Sequence, residues 1–246
     1  MASNNRSPVN APIADDVVQP PLETRELRKG LQTFMATKVT DSLTGNAVRV
    51  GSYRFGVYAF YDYDGEPIYV GQTREKLSGR VSRHLTNQRT DAVAMSVLDP
   101  FEVCDVEVWP LPKLQTLPKN DPKAIDILNG VEAAVYLKVL RESKFGAVLN
   151  EKIPVGSKHV KIPPSWRGRI VTDEIMEIRS HPDIRLARRA ATLARLAQII
   201  SERKVTAGLR HVLLVQARRL ESLAERRFER FKGEVEAGHE PEEEVE

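Results

Sequence analysis

Cysteine is almost absent from this chain: Cys104 is the only one among 246 residues. A single cysteine excludes an intrachain disulfide and a metal site built on several thiolates, and it is typical of a reducing compartment. No stretch approaches 18 uninterrupted apolar residues, so the sequence predicts no membrane-spanning helix and no membrane partner. The first 21 residues lack the apolar run of a secretory signal and are expected to form a disordered tail. Together these absences favour a cytoplasmic location.

Charge is distributed unevenly along the chain, although the net charge is only +3. The last fourteen residues hold seven Glu and neither Lys nor Arg. The region from Trp166 to Lys232 holds 16 Lys or Arg against 8 Asp or Glu, a local net charge of +8. A basic body with an acidic tail suits a polyanionic partner. Alternatively, the same arginines are simply solvent-exposed residues on the outer faces of helices.

The hydrophobic pattern predicts a mixed α/β region followed by helices. Period-two runs rich in aromatic and β-branched residues predict strands at 54–61, 66–70 and 101–109. Helical spacing of apolar residues predicts helices at 22–38, 77–86, 92–98 and 123–141. Asp64-Gly65 supplies the turn chemistry of a hairpin between the first two strands. From Arg169 onward the pattern is helical, with breaks expected at Pro182 and Gly208.

Two tripeptides flank the predicted hairpin: Gly56-Val57-Tyr58 and Tyr69-Val70-Gly71. Each lies on one of the two strands, so the hairpin places Tyr58 and Tyr69 on neighbouring strands. Tyrosine pairs of this kind also occur in ordinary sheets, and the tripeptides alone would not indicate a site.

Four polar residues that follow the hairpin make a phosphodiester-cleaving site the leading hypothesis. Arg80 and His84 are four residues apart on a predicted helix and therefore share a face. Glu132 lies between Val131 and Ala133 in an apolar helix, where a carboxylate is costly unless it is paired or bound to metal. Asn150 follows this helix.

These side chains cover the chemical requirements of phosphodiester hydrolysis. A carboxylate such as Glu132 can hold a divalent metal, for which Mg²⁺ is expected and Mn²⁺ is the alternative. Arg80 can pair with the nonbridging phosphate oxygens. Tyr58 is our choice of general base and Tyr69 orients water or phosphate. His84 is the competing base, because an imidazole titrates nearer neutral pH than a phenol does.

The ordered set of residues resembles the GIY-YIG endonuclease superfamily, over about Arg54 to Asn150. The resemblance implies a small α/β domain with a three-stranded antiparallel sheet flanked by helices, one divalent metal held by the glutamate, and hydrolysis of nucleic-acid strands. It also implies that the arginine and the tyrosines surround the scissile phosphate, and that Asn150 supports the site. Many members carry a Lys directly after the second tripeptide. This chain has Gln72 there, and Arg74 is the nearest basic residue that could substitute.

The expected organisation follows from these assignments. It comprises an N-terminal tail (1–21), a nuclease domain with a leading helix (22–150), a linker (151–168), a basic all-α module (169–232) and a disordered acidic tail (233–246). DNA is the expected partner, because Lys and Arg supply sequence-independent affinity for phosphates. Candidate DNA-contacting residues are Gln72, Arg74, Arg188, Arg189, Arg218 and Arg219.

Two other functions are consistent with the same sequence. One is a nucleic-acid-binding protein of the same fold that has lost cleavage, which Gln72 favours. The other is an assembly protein in which leucine stripes of the C-terminal helices form a homo-oligomeric bundle. Because the motif-bearing elements end by Asn150, we also expect truncation after Ser165 to leave a folded core.

Overall fold

The computed structural model describes residues 21–86, 97–154 and 160–237, with side chains up to Lys232. The described helices are α1 (Leu22–Ala36), α2 (Leu77–Leu85), α3 (Pro122–Glu142), α4 (Asp173–Arg179), α5 (Pro182–Glu202) and α6 (Ala207–Ala237). The strands are β1 (Lys38–Thr40), β2 (Ala47–Arg49), β3 (Gly56–Tyr61), β4 (Pro67–Thr73), β5 (Asp105–Pro110) and β6 (Trp166–Arg169). Most of the helix predicted at 92–98, nearly all of the N-terminal tail and the last nine residues of the acidic tail lie outside the described residues.

The main sheet has four antiparallel strands in the order β4-β3-β5-β6, so the expectation of three strands is wrong. The additional strand, β6, lies at the end of the segment that was expected to be an irregular linker. Its Trp-Arg-Gly-Arg sequence carries little β signal of its own. Pairing with β5 holds it in place, and Arg167 adds an ion pair with Asp105 and a contact with the ring of Tyr61, 3.7 Å from the guanidinium carbon to the ring centroid.

The hairpin of β3 and β4 forms as the sequence predicts. Gly65 has a φ of +72° in the connecting turn, a conformation that glycine adopts without steric cost. Tyr58 lies opposite Gly71 and Phe60 lies opposite Tyr69 in the antiparallel register. Because side chains alternate between the two faces of a strand, this register places the three aromatic residues on one face of the sheet.

Apolar cores cover both faces of the sheet. One face, with Tyr58 and Phe60, packs against side chains of α1, α2, α5 and α6. The opposite face, with Val57 and Ala59, packs against α3. The apolar spacing that predicted α3 reflects this contact, because Leu128, Val131, Val135 and Val139 are among the residues of α3 that are buried there.

The basic C-terminal helices dock against the hairpin through buried ion pairs. Three guanidinium groups approach the same oxygen, Oδ2 of Asp62 in the β3–β4 turn, from Arg185 (3.4 Å), Arg189 (2.9 Å) and Arg219 (2.7 Å). Glu102 accepts a further hydrogen bond from Arg189 at 2.8 Å. Burial lowers the pKa of Arg219, and the charge of Asp62 opposes that effect. Part of the arginine excess in this region therefore forms buried ion pairs within the protein and is not available to a partner.

This packing changes the expectation for truncation after Ser165. Removal of the following residues would delete β6 from the sheet and would delete Ile170, Leu196 and Val212 from the core that contains Tyr58. It would also leave Asp62 without its three guanidinium partners. The elements that carry the tripeptides are thus packed together with the C-terminal helices.

The break expected at Gly208 lies just before it, at 203–206, and α6 begins at Ala207. The break at Pro182 separates α4 from α5 as predicted. None of the described helices combines the length and the apolar character needed to cross a bilayer.

Candidate functional site

Tyr58, Phe60, Tyr69 and His84 form an aromatic cluster where β3 and β4 meet α2. The ring centroid of His84 lies 4.6 Å from that of Tyr69 and 5.2 Å from that of Phe60, edge-on in both pairs. The hydroxyl of Tyr58 and Nδ1 of His84 are 3.3 Å apart and share a hydrogen bond. Tyr58 is fully buried, whereas Tyr69 is partly exposed. Solvent therefore reaches the cluster on the side of Tyr69.

The two motif glycines make room for this arrangement. A Cβ atom added at Gly71 would lie 2.6 Å from the hydroxyl oxygen of Tyr58 and 2.9 Å from Cε1 of Tyr69. Gly71 therefore allows both rings to sit over the strand. A Cβ added at Gly56 would lie 3.1 Å from a methyl group of Leu77, so this glycine allows α2 to pack closely on the sheet.

Arg80 is half-buried beside the tyrosines, one helical turn before His84 on α2. Burial acts to lower the pKa of its guanidinium, but interactions with the oxygens of Tyr58 and Tyr69 outweigh it and the pKa is raised. Nε of Arg80 is buried and has no acceptor within the described ranges. The group is thus a fixed positive charge with unused hydrogen-bonding capacity.

Glu132 on α3 is a half-buried carboxylate whose surroundings disfavour its charge. Burial raises its pKa to about 7, and the positive charge of Arg80 offsets part of that effect. Arg80 on α2 and Glu132 on α3 therefore interact electrostatically, although the two helices pack on opposite faces of the sheet. The edge strand β4 lies beside both.

Asn150 fastens the segment after α3 to the edge of β4. Its side-chain oxygen accepts a hydrogen bond from the amide of Val70 at 3.0 Å, and its side-chain nitrogen donates to the carbonyl of Val70 at 2.7 Å. Leu149 adds a backbone bond to the carbonyl of Ile68. Asn150 is therefore a positioning residue, because it holds the strand that carries Tyr69.

Gln72 follows the second tripeptide and points towards α3. Its side-chain nitrogen donates to Oδ1 of Asn129 at 2.8 Å. The side-chain oxygen of Gln72 is buried and has no donor among the described residues. Arg74, two residues further on, is exposed just beyond the end of β4.

The structure does not bring the four helical arginines together at one surface. Arg189 and Arg219 are buried in the ion pairs with Asp62. Arg188 is bound to Asp99 through two hydrogen bonds of 2.9 and 3.2 Å, and Arg218 is exposed on α6. Burial removes Arg189 and Arg219 from direct contact with a partner in this conformation.

Two residues near the site were not singled out from the sequence. Phe60 lies two residues after Tyr58, so the period of a strand places it on the same face. Asn129 lies three residues before Glu132, so the period of a helix places the two on one face of α3. In both cases the periodicity of the element indicates which residues share a face. It points to Phe60 and Asn129 only after the position of the site is known.

The donor set limits the kind of metal that this site could hold. No group of three or more His, Cys, Asp or Glu side chains suited to a metal ion is present in the described part of the chain. Mg²⁺ often keeps several water molecules and is bound through one or two carboxylates together with substrate phosphates. A lone carboxylate such as Glu132 fits that mode and does not fit a dedicated protein cage.

Comparisons of this chain with protein-family models, with curated proteins and with solved structures found no match.

Proposed function

We propose that this chain is a metal-dependent endonuclease of the GIY-YIG type that hydrolyses DNA phosphodiester bonds. The observation that carries the proposal is the convergence of Tyr58, Tyr69, His84 and Arg80 on one patch, with Glu132 electrostatically coupled to Arg80. A proton-transfer pair, a cation and a carboxylate are the groups that such hydrolysis requires. Because the charged group of Arg80 lies beside Tyr58 and Tyr69, we interpret the group as a reaction site and not as an ordinary surface ion pair.

The chemistry can be assigned to individual side chains. Tyr58 is the proposed proton acceptor for the attacking water, and Arg80, beside its oxygen, would stabilise the phenolate form that accepts the proton. His84 holds the Tyr58 hydroxyl through its hydrogen bond and is the alternative proton acceptor. Tyr69, the more exposed of the two tyrosines, orients the water or the phosphate. Arg80 also stabilises the charge that develops on the phosphoryl oxygens.

Glu132 would hold the divalent cation, with Mg²⁺ expected and Mn²⁺ as the alternative. When bound, such an ion supplies positive charge to the phosphoryl and leaving oxygens. The raised pKa of Glu132 is consistent with this role, because a nearby cation would stabilise the charged carboxylate that burial disfavours.

Exposed cations near the site are the candidates for gripping DNA. Arg74 and Lys76 lie in the segment between β4 and α2, and both are exposed. Arg218 is exposed on α6 and stays a candidate contact. Arg189 and Arg219 are not part of the proposal, because they neutralise Asp62.

A homo-oligomer through the C-terminal helices stays a second proposal with narrower support. Much of the predicted leucine stripe is used inside the chain, since Leu196 and Leu223 are buried. Exposed apolar side chains remain at the end of α6, where Phe228 is 64% exposed and Phe231 is 47% exposed, and also at Ile178, Ile184 and Leu214. A second copy would place two sites on one DNA molecule and allow both strands to be cut.

Cleavage of supercoiled plasmid in Mg²⁺ or EDTA, by wild type and by Glu132→Ala, tests the proposed function. We expect nicking by the wild type in Mg²⁺ and no nicking by the variant, because its carboxylate is gone. Glu142→Ala is the matched control, since Glu142 lies at the end of the same helix in a solvent-facing pair with Lys138. DNA binding by the wild type without cleavage would favour the inactive binding protein. Equal nicking by Glu132→Ala would show that the site is misassigned.

A further inference from the structure

The side-chain oxygen of Gln72 is a buried acceptor without a donor in the described part of the chain. An unpaired buried oxygen is destabilising, so it calls for an explanation. The amide nitrogen of the same side chain is already bound to Asn129 at 2.8 Å. That bond fixes the orientation of the amide group and leaves its oxygen for another partner.

The anchor of Gln72 lies on the same helix face as Glu132. Asn129 and Glu132 are three residues apart on α3, a spacing that makes their side chains neighbours on the helix surface. Gln72 therefore reaches α3 one turn before the carboxylate that the proposed function assigns to the metal. The oxygen has the chemistry of a ligand, because amide carbonyl groups and carboxylates are both suited to Mg²⁺ and Mn²⁺.

We propose that Gln72 contributes its side-chain oxygen to the divalent-cation site at Glu132, with Asn129 as the residue that positions it. The inference rests on the proposed function, since it requires a cation at Glu132. It assigns a purpose to the residue that stands where many members of the GIY-YIG superfamily, which the motif resembles, carry a lysine. A lysine there would supply a positive charge, whereas a glutamine supplies a neutral oxygen ligand. With glutamine, the positive charge at this position would come from the bound cation and not from the protein.

Mn²⁺ binding to the whole chain without DNA, followed by electron paramagnetic resonance of the free ion, tests the inference without relying on turnover. We expect Gln72→Leu to weaken binding about tenfold, as for other groups that support a metal site. Gln72→Glu should strengthen it, because a charged oxygen replaces a neutral one. Asn129→Ala should weaken binding, because the amide loses its anchor. Gln32→Glu, at an exposed glutamine on α1, is the control for added charge and should bind as the wild type does.

The results separate this inference from the proposed function. If Glu132→Gln loses the Mn²⁺ signal while Gln72→Leu and Gln72→Glu match the wild type, the cation lies at Glu132 and Gln72 is not a ligand. If Gln72→Glu weakens binding, the amide nitrogen of Gln72 faces Glu132 and the inference is overturned. If Glu132→Gln binds as the wild type does, or if the wild type gives no signal, the cation assignment falls and the inference falls with it. Melting temperatures without metal verify that each variant is folded.

Discussion

At the scale of single residues, the site combines a cation and a carboxylate that are both half-buried. Arg80 is half-buried with an unused donor, and Glu132 is a carboxylate whose pKa is raised to about 7. Burial of the Glu132 carboxylate costs stability in the metal-free protein, whereas the charge of Arg80 is already favoured by the tyrosine oxygens. Each side chain can gain a further interaction when an oppositely charged partner binds.

Arg80→Ala should lower the cleavage rate at saturating DNA by on the order of 10²-fold or more, because in the proposed reaction the guanidinium stabilises charge that develops in the transition state. DNA affinity should fall much less. Arg83→Ala is the control, since Arg83 lies on the same helix and pairs with Glu75. Single-turnover cleavage and equilibrium binding should be measured on the same preparations. A variant that binds poorly but cleaves at the normal rate once saturated would place Arg80 outside the reaction site.

Glu132→Gln should stabilise the metal-free protein at about pH 8 and much less at about pH 5. The folded protein favours the neutral carboxyl, whose pKa is raised from 4.5 to about 7. This preference is fully present below the unfolded pKa and is lost as pH rises through about 7. The wild type therefore carries a cost above that pH, on the order of 1–3 kcal/mol, and glutamine removes it. Urea unfolding at both pH values measures the difference, and an equal effect at both would contradict the raised pKa.

At the scale of elements, the β3–β4 hairpin holds the tyrosines and α2 holds the residues that face them. The register opposes Tyr58 to Gly71, so the strand carrying one tyrosine provides the space for the other. Asn150 keeps β4 in position from its outer edge. The hairpin thus depends on the small residue at Gly71 and on the side-chain amide of Asn150, which pairs with β4.

Gly71→Ala should destabilise the protein by about 1–3 kcal/mol, because the new methyl group collides with both tyrosines. Cleavage should fall as well, since both rings would move. Gly79→Ala on α2 is the matched control: among the described residues, its Cβ would meet only Nη1 of Arg83, at 3.9 Å. That change should stabilise the helix slightly, because alanine has the higher helix propensity. Thermal unfolding of the two variants gives the comparison, and equal melting temperatures would refute the close approach.

At the scale of the whole molecule, the C-terminal helices are clamped to the hairpin turn by the ion pairs of Asp62. The turn joins the two strands that carry the tyrosines, so this contact supports the site from the end opposite the tripeptide glycines. Three guanidinium groups share one carboxylate oxygen in a buried setting. Loss of Asp62 would remove the carboxylate partner of Arg219, whereas Arg185 keeps Asp64 and Arg189 keeps Glu102.

Asp62→Asn should destabilise the protein by about 3–5 kcal/mol, because the buried guanidinium of Arg219 loses its counter-charge. Arg185 and Arg189 each lose one of their carboxylate partners as well. Asp183→Asn is the control, since Asp183 pairs with Arg227 at an exposed position and its loss should change stability little. Midpoints of urea unfolding provide the measurement. If the two variants unfold at the same urea concentration, the buried cluster does not hold the C-terminal helices in place.

The sequence alone determined the local elements: the hairpin with its Asp-Gly turn, the helix bearing Arg80 and His84, and the apolar helix bearing Glu132 all lie within a few residues of their predicted positions. These features follow from periodicity and turn chemistry, which act between neighbours in the chain. Only the tertiary structure decided that β6 joins the sheet, that Arg189 and Arg219 turn inward to Asp62, and that the oxygen of Gln72 is buried without a donor in the described ranges. Each of these depends on contacts between residues more than fifty positions apart, for which a local pattern carries no signal.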